Sequence, residues 1–170
     1  ADAVARGLDG VSEINVQGTA LAVAGWVRVE QGDATRVVVE MEALLARYLA
    51  DGEMQHVPSI ILALSRALLA TGLPDEAAAH LQASWSVPEL QRFVRARLWY
   101  RHDLALAELL AGREPSALDG FEEMLDDATT VANPQEQARA HFWLGQLDRR
   151  RGEHHRAEGH LHAALEIHAG

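Results

Sequence analysis

Five of the nine histidines lie close to the C-terminal end of the sequence, where their imidazoles could bind a metal ion. They are His154, His155, His160, His162 and His168. A metal site on one helix needs ligands three or four residues apart, because only those side chains face the same point. No two of the five have that spacing, and His155 and His162 would lie about 10 Å apart along a helix. We therefore predict exposed or interhelical histidines, no metal site and no cofactor.

Two acidic pairs, Glu122-Glu123 and Asp126-Asp127, raise the question of acid–base catalysis by paired carboxylates. Such catalysis needs a closed cleft that holds both groups around a substrate. The pattern is more typical of the solvated face of a helix, and we interpret it in that way. The consecutive arginines at 149–151 are predicted to end a helix, because the helix dipole favours cations at its C-terminus.

The composition excludes several kinds of chemistry. The chain has no cysteine, which excludes disulfides, thiolate catalysis and thiolate-bound zinc or iron–sulfur clusters. All 15 basic residues are arginine, so there is no lysine for a phosphate-binding loop or a Schiff base. The sequence contains no H-E-x-x-H motif, no G-x-S-x-G motif and no phosphate-binding glycine loop. We therefore predict that the protein is not an enzyme.

The net charge of −10 indicates which partners are disfavoured. An acidic chain is repelled by the phosphate backbone, so we expect no direct contact with nucleic acid. No apolar run approaches the roughly 20 residues that span a bilayer, and no secretion signal opens the sequence. We expect a cytoplasmic protein without a membrane partner.

Four glycines recur at a fixed interval of 40 residues: Gly32, Gly72, Gly112 and Gly152. A small residue precedes each glycine by seven positions, a small or branched aliphatic residue follows by five, and a large apolar residue follows by nine. In that order they are Gly25, Ser65, Ala105 and Gly145; Val37, Ala77, Ala117 and Ala157; and Met41, Leu81, Phe121 and Leu161. The same 40-residue interval separates the residues at each of these four positions. It indicates one supersecondary unit repeated four times, and therefore a solenoid.

Each unit is predicted to be an antiparallel helical hairpin in which the glycine ends the first helix in a left-handed C-cap. We predict one all-α domain over 1–170, with repeats at about 18–50, 57–85, 89–131 and 134–168. The predicted helices are 20–31, 34–49, 58–71, 74–85, 89–111, 115–131, 134–151 and 153–168. Residues 1–9 match the end of a second helix in register with the repeat, so we interpret them as the remnant of a preceding hairpin.

The last hairpin resembles the tetratricopeptide family. Its first helix has the family's small residue, in Leu144-Gly145, and Gly152 is the family's turn glycine. Its second helix has the family's alanine, Ala157, followed by the apolar Leu161 and the small Ala164. The family's early aromatic residue is replaced by Leu21, Ile61, Arg101 and His141, and its tyrosine before the turn by Arg28, Leu68, Glu108 and Asp148. The family's period is about 34 residues rather than 40. HEAT-like helical pairs of about 40–47 residues are the alternative fold, although the glycine and alanine positions argue against them.

The long period is more similar to the tetratricopeptide-like repeats of MalT-like bacterial regulators, which carry an ATPase module before the repeats and a LuxR-type DNA-binding module after them. This resemblance implies a right-handed α-solenoid whose first helices line a concave groove. The groove residues that it implies are Trp26, Glu30, Arg66, Trp99, His102, Arg139, Phe142, Gln146 and Arg149. The alternative is that Trp99 and the neighbouring leucines are buried by helix packing.

The resemblance further implies a non-catalytic sensor or scaffold segment of a multidomain transcriptional regulator. Its groove would bind a protein, a peptide or a small effector, and neighbouring domains of the parent chain would respond to occupancy. The alternative is a free-standing adaptor or co-chaperone that docks acidic peptide segments, because arginine can bind a carboxylate through two hydrogen bonds. Truncated solenoid ends expose apolar faces, so we also expect a homo-oligomer.

Overall fold

A computed structural model describes residues 13–85 and 94–169, and the surroundings of side chains within 20–85 and 96–169. Every regular element in these ranges is an α-helix, which confirms the predicted all-α class. The helices are α1 (Glu13–Glu30), α2 (Ala34–Ala50), α3 (Val57–Ala70), α4 (Pro74–Trp85), α5 (Val94–Leu110), α6 (Glu114–Thr130), α7 (Pro134–Arg150) and α8 (His154–Ala169).

The internal contacts divide the chain into two compact units, 1–96 and 97–170. The first unit contains α1 to α4, and the second contains most of α5 together with α6, α7 and α8. The hypothesis of a preceding hairpin at 1–9 concerns residues outside the described ranges, as does the predicted helical segment 89–93. The 40-residue repeat, the single domain and the solenoid stay predictions.

The start of α1 differs most from the sequence pattern. This helix begins at Glu13, whereas the apolar periodicity predicted a start at Ala20. The intervening segment includes Gly18 and Thr19, whose low helix propensity conceals the helix at the level of sequence. One interior glycine costs only about 1 kcal/mol, which a helix with tertiary contacts tolerates.

In each of the six described turns between helices, a residue in the left-handed conformation ends the preceding helix. These residues are Gly32, Gly52, Gly72, Gly112, Ala132 and Gly152. Their glycines have φ between 72° and 87°, whereas Ala132 has φ 52°. In the turn at Gly112, its N–H donates to the carbonyl of Leu109 (3.1 Å), and the next N–H, of Arg113, donates to the carbonyl of Glu108 (2.8 Å). The predicted left-handed caps are confirmed, and the links at 52 and 132 use the same turn, which the sequence analysis did not predict.

Gly25 allows α1 to approach both α2 and α3 in the first unit. A Cβ at Gly25 would lie 3.4 Å from Cγ1 of Val37 on α2 and 3.7 Å from Cβ of Ala63 on α3. Two positions of the repeat pattern, 25 and 37, are therefore neighbours across the first hairpin. A larger side chain at position 25 would push α1 away from both neighbours, since these distances already equal ordinary van der Waals contacts.

The second unit has a continuous apolar core that α5, α6 and α7 share. Its buried members are Leu98, Ala105, Leu109, Ala117, Phe121, Met124, Ala128, Ala140, Leu144 and Leu147. The ring of Phe121 is nearly parallel to that of Trp143, with 5.7 Å between their centroids. Between α7 and α8, Gly145 packs against Leu161, whose Cγ would lie only 2.7 Å from a Cβ at position 145. Gly25 and Gly145 of the sequence pattern thus lie where one helix packs directly against the next.

Ala132 adopts a left-handed backbone conformation that glycine would adopt at lower cost. Ala132→Gly should raise the free energy of unfolding by roughly 0.5–1 kcal/mol, because the left-handed conformation costs a residue with a Cβ about 1–2 kcal/mol and glycine loses somewhat more backbone entropy on folding. Urea unfolding followed by far-ultraviolet circular dichroism measures the change.

Gly112→Ala is the matched control for this substitution. A Cβ at position 112 would meet no atom within 4 Å, so any destabilisation comes from the backbone conformation alone. We expect the free energy of unfolding to fall by about 1 kcal/mol. If both substitutions changed stability in the same direction, the left-handed turn would not be the cause.

Candidate functional site

A half-open pocket of about 200 Å³ lies on the first unit, where α1 and α3 meet. Its lining residues are Trp26, Val27, Val29, Glu30 and Arg66. Helix α1 contributes four of them because positions 26 to 30 span little more than one helical turn. Three of the predicted groove residues, Trp26, Glu30 and Arg66, are thus brought together here.

The pocket has an apolar wall, and its two charges are carried by Arg66 and Glu30. Cζ of Arg66 lies 4.4 Å from the centroid of the Trp26 ring, within the range of a cation–π interaction. Val27 exposes 52% of its surface, so the apolar wall extends to the solvent. The lining contains no hydroxyl nucleophile and no imidazole. Valine, tryptophan and arginine side chains therefore make up most of this surface.

In the second unit, Trp99 and Arg139 meet at a buried carboxylate that the sequence analysis did not identify, that of Glu136. Nε1 of Trp99 donates to Oε1 of Glu136 (3.1 Å), and a guanidinium nitrogen of Arg139 donates to both carboxylate oxygens (3.2 and 3.1 Å). The backbone N–H of Glu136 donates to Oδ1 of Asn133 (3.3 Å), which caps α7. The charge of Arg139 therefore compensates an internal acid.

The other predicted groove residues of this unit have different surroundings. Nδ1 of His102 lies 2.8 Å from Oδ1 of the buried Asp103, and the imidazole meets the edge of a core phenylalanine ring. Phe142 is exposed over 44% of its surface. Gln146 is half-buried and Arg149 is exposed in the last turn of α7. Because Phe142, Gln146 and Arg149 are spaced by four and three residues, they share one face of that helix.

The acidic run on α6 is only partly the solvated face that its sequence predicted. Asp127 accepts hydrogen bonds from Arg97 (3.2 Å) and Arg101 (2.6 Å) of α5. Arg101 also pairs with Glu123. The two arginines are distant in sequence from these acids, and only the packing of α5 against α6 brings them together. Both acids are thus paired with arginine across two helices.

Four carboxylates are buried in the second unit, namely those of Asp103, Glu108, Glu136 and Asp148. A buried charge is strongly destabilising unless it is paired and hydrogen-bonded. Three of the four have such partners in histidine, arginine or tryptophan. The sequence contains a signal for two of them. Glu108 and Asp148 lie 40 and 80 residues after the buried Leu68, at the equivalent position of the repeat.

A pair of residues five positions apart flanks each turn glycine, and its chemistry varies along the chain. Arg28 donates to Asp33 (Nε–Oδ2, 3.0 Å), and Arg113 donates to Glu108 with the charges in reverse order. The same backbone turn brings both pairs together. Where Leu68 begins the pair, the residue five positions later is Leu73, so both positions are apolar, as is common at such turns.

The last pair, Asp148 and Glu153, consists of two acids, so it can form neither an arginine–carboxylate hydrogen bond nor an apolar contact. The side chain of Asp148 is only 1% exposed, and within the described ranges neither of its oxygens has a hydrogen-bond partner. Compensation comes from α8, where Nε of Arg156 lies 3.7 Å and Nε2 of His160 lies 3.8 Å from Oδ2. Asp148 is thus less completely satisfied than the other three buried acids.

The histidines of α8 differ in their surroundings. His154, His155, His162 and His168 are exposed, whereas His160 is half-buried and contacts His141 of α7. Over the ranges that the structure describes, no three histidine, aspartate or glutamate side chains are arranged to hold a metal ion. In the same ranges no helix has the length and apolar character needed to cross a membrane.

The unmatched acid pair at the last turn leads to a stability prediction. Glu153→Arg should place a guanidinium beside the buried Asp148, as Arg113 does for Glu108. We expect the free energy of unfolding to rise by roughly 0.5–1 kcal/mol, because the charge-assisted hydrogen bond outweighs the loss of an acid near the N-terminus of α8.

Glu153→Gln is the control, since it removes the same negative charge but supplies no cation. Urea unfolding of both variants should show a gain only for arginine. Equal stability of the two variants would mean that repulsion between the acids, and not the missing partner, governs this turn.

The chain matches no protein-family model, and no curated protein shows significant similarity to it. The assignment of a function therefore depends on the geometry of the pocket and on the resemblance of the repeat pattern.

Proposed function

We propose that this chain is a non-catalytic protein-interaction module whose pocket between α1 and α3 receives one side chain of a partner protein or peptide. The single observation that carries the proposal is the meeting of Trp26 and Arg66 beside two valines in an open pocket. Tryptophan and arginine are enriched among the residues that dominate protein interfaces. Both types occur here on a surface that is open to solvent.

The size of the pocket favours a macromolecular partner over a small effector. Pockets for drug-sized molecules usually enclose about 300–1,000 Å³ and bury most of the ligand. The volume here is about 200 Å³ and the pocket is half-open. A single apolar side chain from a peptide fits such a space, while the rest of the peptide would contact the adjoining surface of α1.

The wider context rests on the repeat resemblance. A tetratricopeptide-like solenoid of four hairpins, cut from a multidomain bacterial transcriptional regulator in the cytoplasm, would use this pocket as a sensor. Neighbouring domains of the parent chain would then respond to its occupancy. The glycine spacing and the left-handed caps at all four glycines support a repeated unit.

A free-standing adaptor that docks acidic segments is the second candidate, and the observation that favours it is the guanidinium of Arg66 at the pocket. Arg139 does not add to this candidate, because its charge already compensates Glu136. Binding of acidic peptides would weaken steeply with salt and with Arg66→Gln. Binding of an apolar anchor would depend on the valines instead.

Binding to the pocket is testable with peptides selected from a random displayed library on the purified chain. Val27→Arg should weaken the affinity of a selected peptide by roughly tenfold or more, because it places a long charged side chain in the apolar wall. Isothermal titration calorimetry gives the dissociation constants.

Val39→Arg is the matched control for this experiment. Val39 is 63% exposed on α2, comparable with Val27 at 52%, and it does not line the pocket. We expect its effect to stay within about twofold. If both substitutions weakened binding equally, or if no peptide were enriched, the pocket would not be the binding site.

A further inference from the structure

Two imidazoles meet directly between α7 and α8. Nδ1 of His141 lies 2.9 Å from Nδ1 of His160, and the ring centroids are 5.1 Å apart. A hydrogen bond between two ring nitrogens requires that one carries a proton and the other offers a lone pair. The contact therefore depends on the number of protons that the pair holds.

The buried Asp148 decides how those protons are arranged. Its Oδ2 lies 3.8 Å from Nε2 of His160, the ring nitrogen opposite the one that meets His141. A proton on Nε2 of His160 faces this carboxylate, so in the neutral pair Nδ1 of His160 accepts from Nδ1–H of His141. Since Asp148 has no hydrogen bond in the described part of the chain, the imidazole is one of its two sources of compensation.

The pair can take up one proton without losing its contact. The pair then holds one proton on each Nε2, that of His160 facing Asp148, and one proton between the two facing Nδ1 atoms. A second proton leaves an N–H on both facing nitrogens and two positive charges in contact. Burial and, secondarily, the charge of His160 lower the pKa of His141 below its ordinary value.

We propose that His141 and His160 form an acid-sensitive latch between α7 and α8, which keeps its contact with one added proton and opens with the second. The other charged groups around it favour this outcome. Arg156 of α8 adds a positive charge 3.7 Å from Asp148. Glu122 of α6 lies 3.8 Å from Arg156 and offsets part of that charge, but both side chains are about half exposed, so solvent screens the pair.

The direction of the pH effect follows from the state of His141 in the folded chain. Its folded pKa lies below the ordinary value of 6.5, so the unfolded state binds more protons as the pH falls. The contribution of His141 to the free energy of unfolding is therefore fully present above pH 6.5. It is lost progressively as the pH falls from 6.5 toward the pKa of His141 in the folded chain. At pH 5 the ratio of closed to open hairpin would drop by up to roughly thirtyfold relative to neutral pH.

Nuclear magnetic resonance on the whole chain tests the latch without any substitution. Imidazole shifts followed over pH should show His141 titrating below 6.5, and amide exchange in α7 and α8 should accelerate below that pH after correction for the intrinsic rate. Titration of His141 at or above 6.5 would overturn the proposal, whether or not any variant folds.

His160→Gln should reduce the acid-induced acceleration of exchange, because the glutamine carbonyl can accept from a protonated His141, while burial continues to lower the pKa of that imidazole. His162→Gln is the control on the same helix, since His162 is 72% exposed and should leave the acceleration unchanged. An undiminished acceleration in His160→Gln, or a reduced one in His162→Gln, would show that the imidazole pair is not the latch.

Discussion

The left-handed residue in each described turn between helices is the constraint on which the rest of the structure depends. It satisfies carbonyl groups that the helix leaves without partners, and in five of the six turns the chain reverses within three residues. It also brings together two side chains that are five positions apart. Those two positions hold an arginine–acid pair at the first turn, leucines at Gly72, a reversed pair at Gly112 and two acids at Gly152. One backbone geometry thus generates four different electrostatic surroundings.

In the second unit, many of the polar contacts between side chains compensate the charge of a buried carboxylate. Its four buried carboxylates must each find a cation or a donor, since an isolated buried charge would be strongly destabilising. Trp99 and Arg139 donate hydrogen bonds to Glu136, so these donors are less available to a binding partner. Asp148 depends on the guanidinium of Arg156 and on the imidazole of His160. Under the proposed latch, the stability of the last hairpin would therefore depend on pH.

The first unit contrasts with this arrangement, because its pocket results from close helix packing rather than from internal charge. Gly25 lets α1 approach α2 and α3, and the adjoining turn of α1 then meets Arg66. The stacked Trp26 and Arg66 present both an apolar face and a cation at one place. This combination supports the proposed peptide partner with an apolar anchor, and the small volume supports it over an enclosed ligand.

The sequence by itself determined the helices and most of their ends, because helical periodicity and glycine caps act within a few residues. It could not reveal the early start of α1 through Gly18, nor the left-handed turn at Ala132, since neither has a distinctive local signal. Membership of Trp26 and Arg66 in one candidate site came from the family resemblance, and only the tertiary structure placed them in contact. It also decided the contact of Trp99 with Glu136 and the meeting of His141 with His160. These interactions join residues that are 19 to 40 positions apart, and the packing of whole helices, which no local pattern encodes, sets their distances.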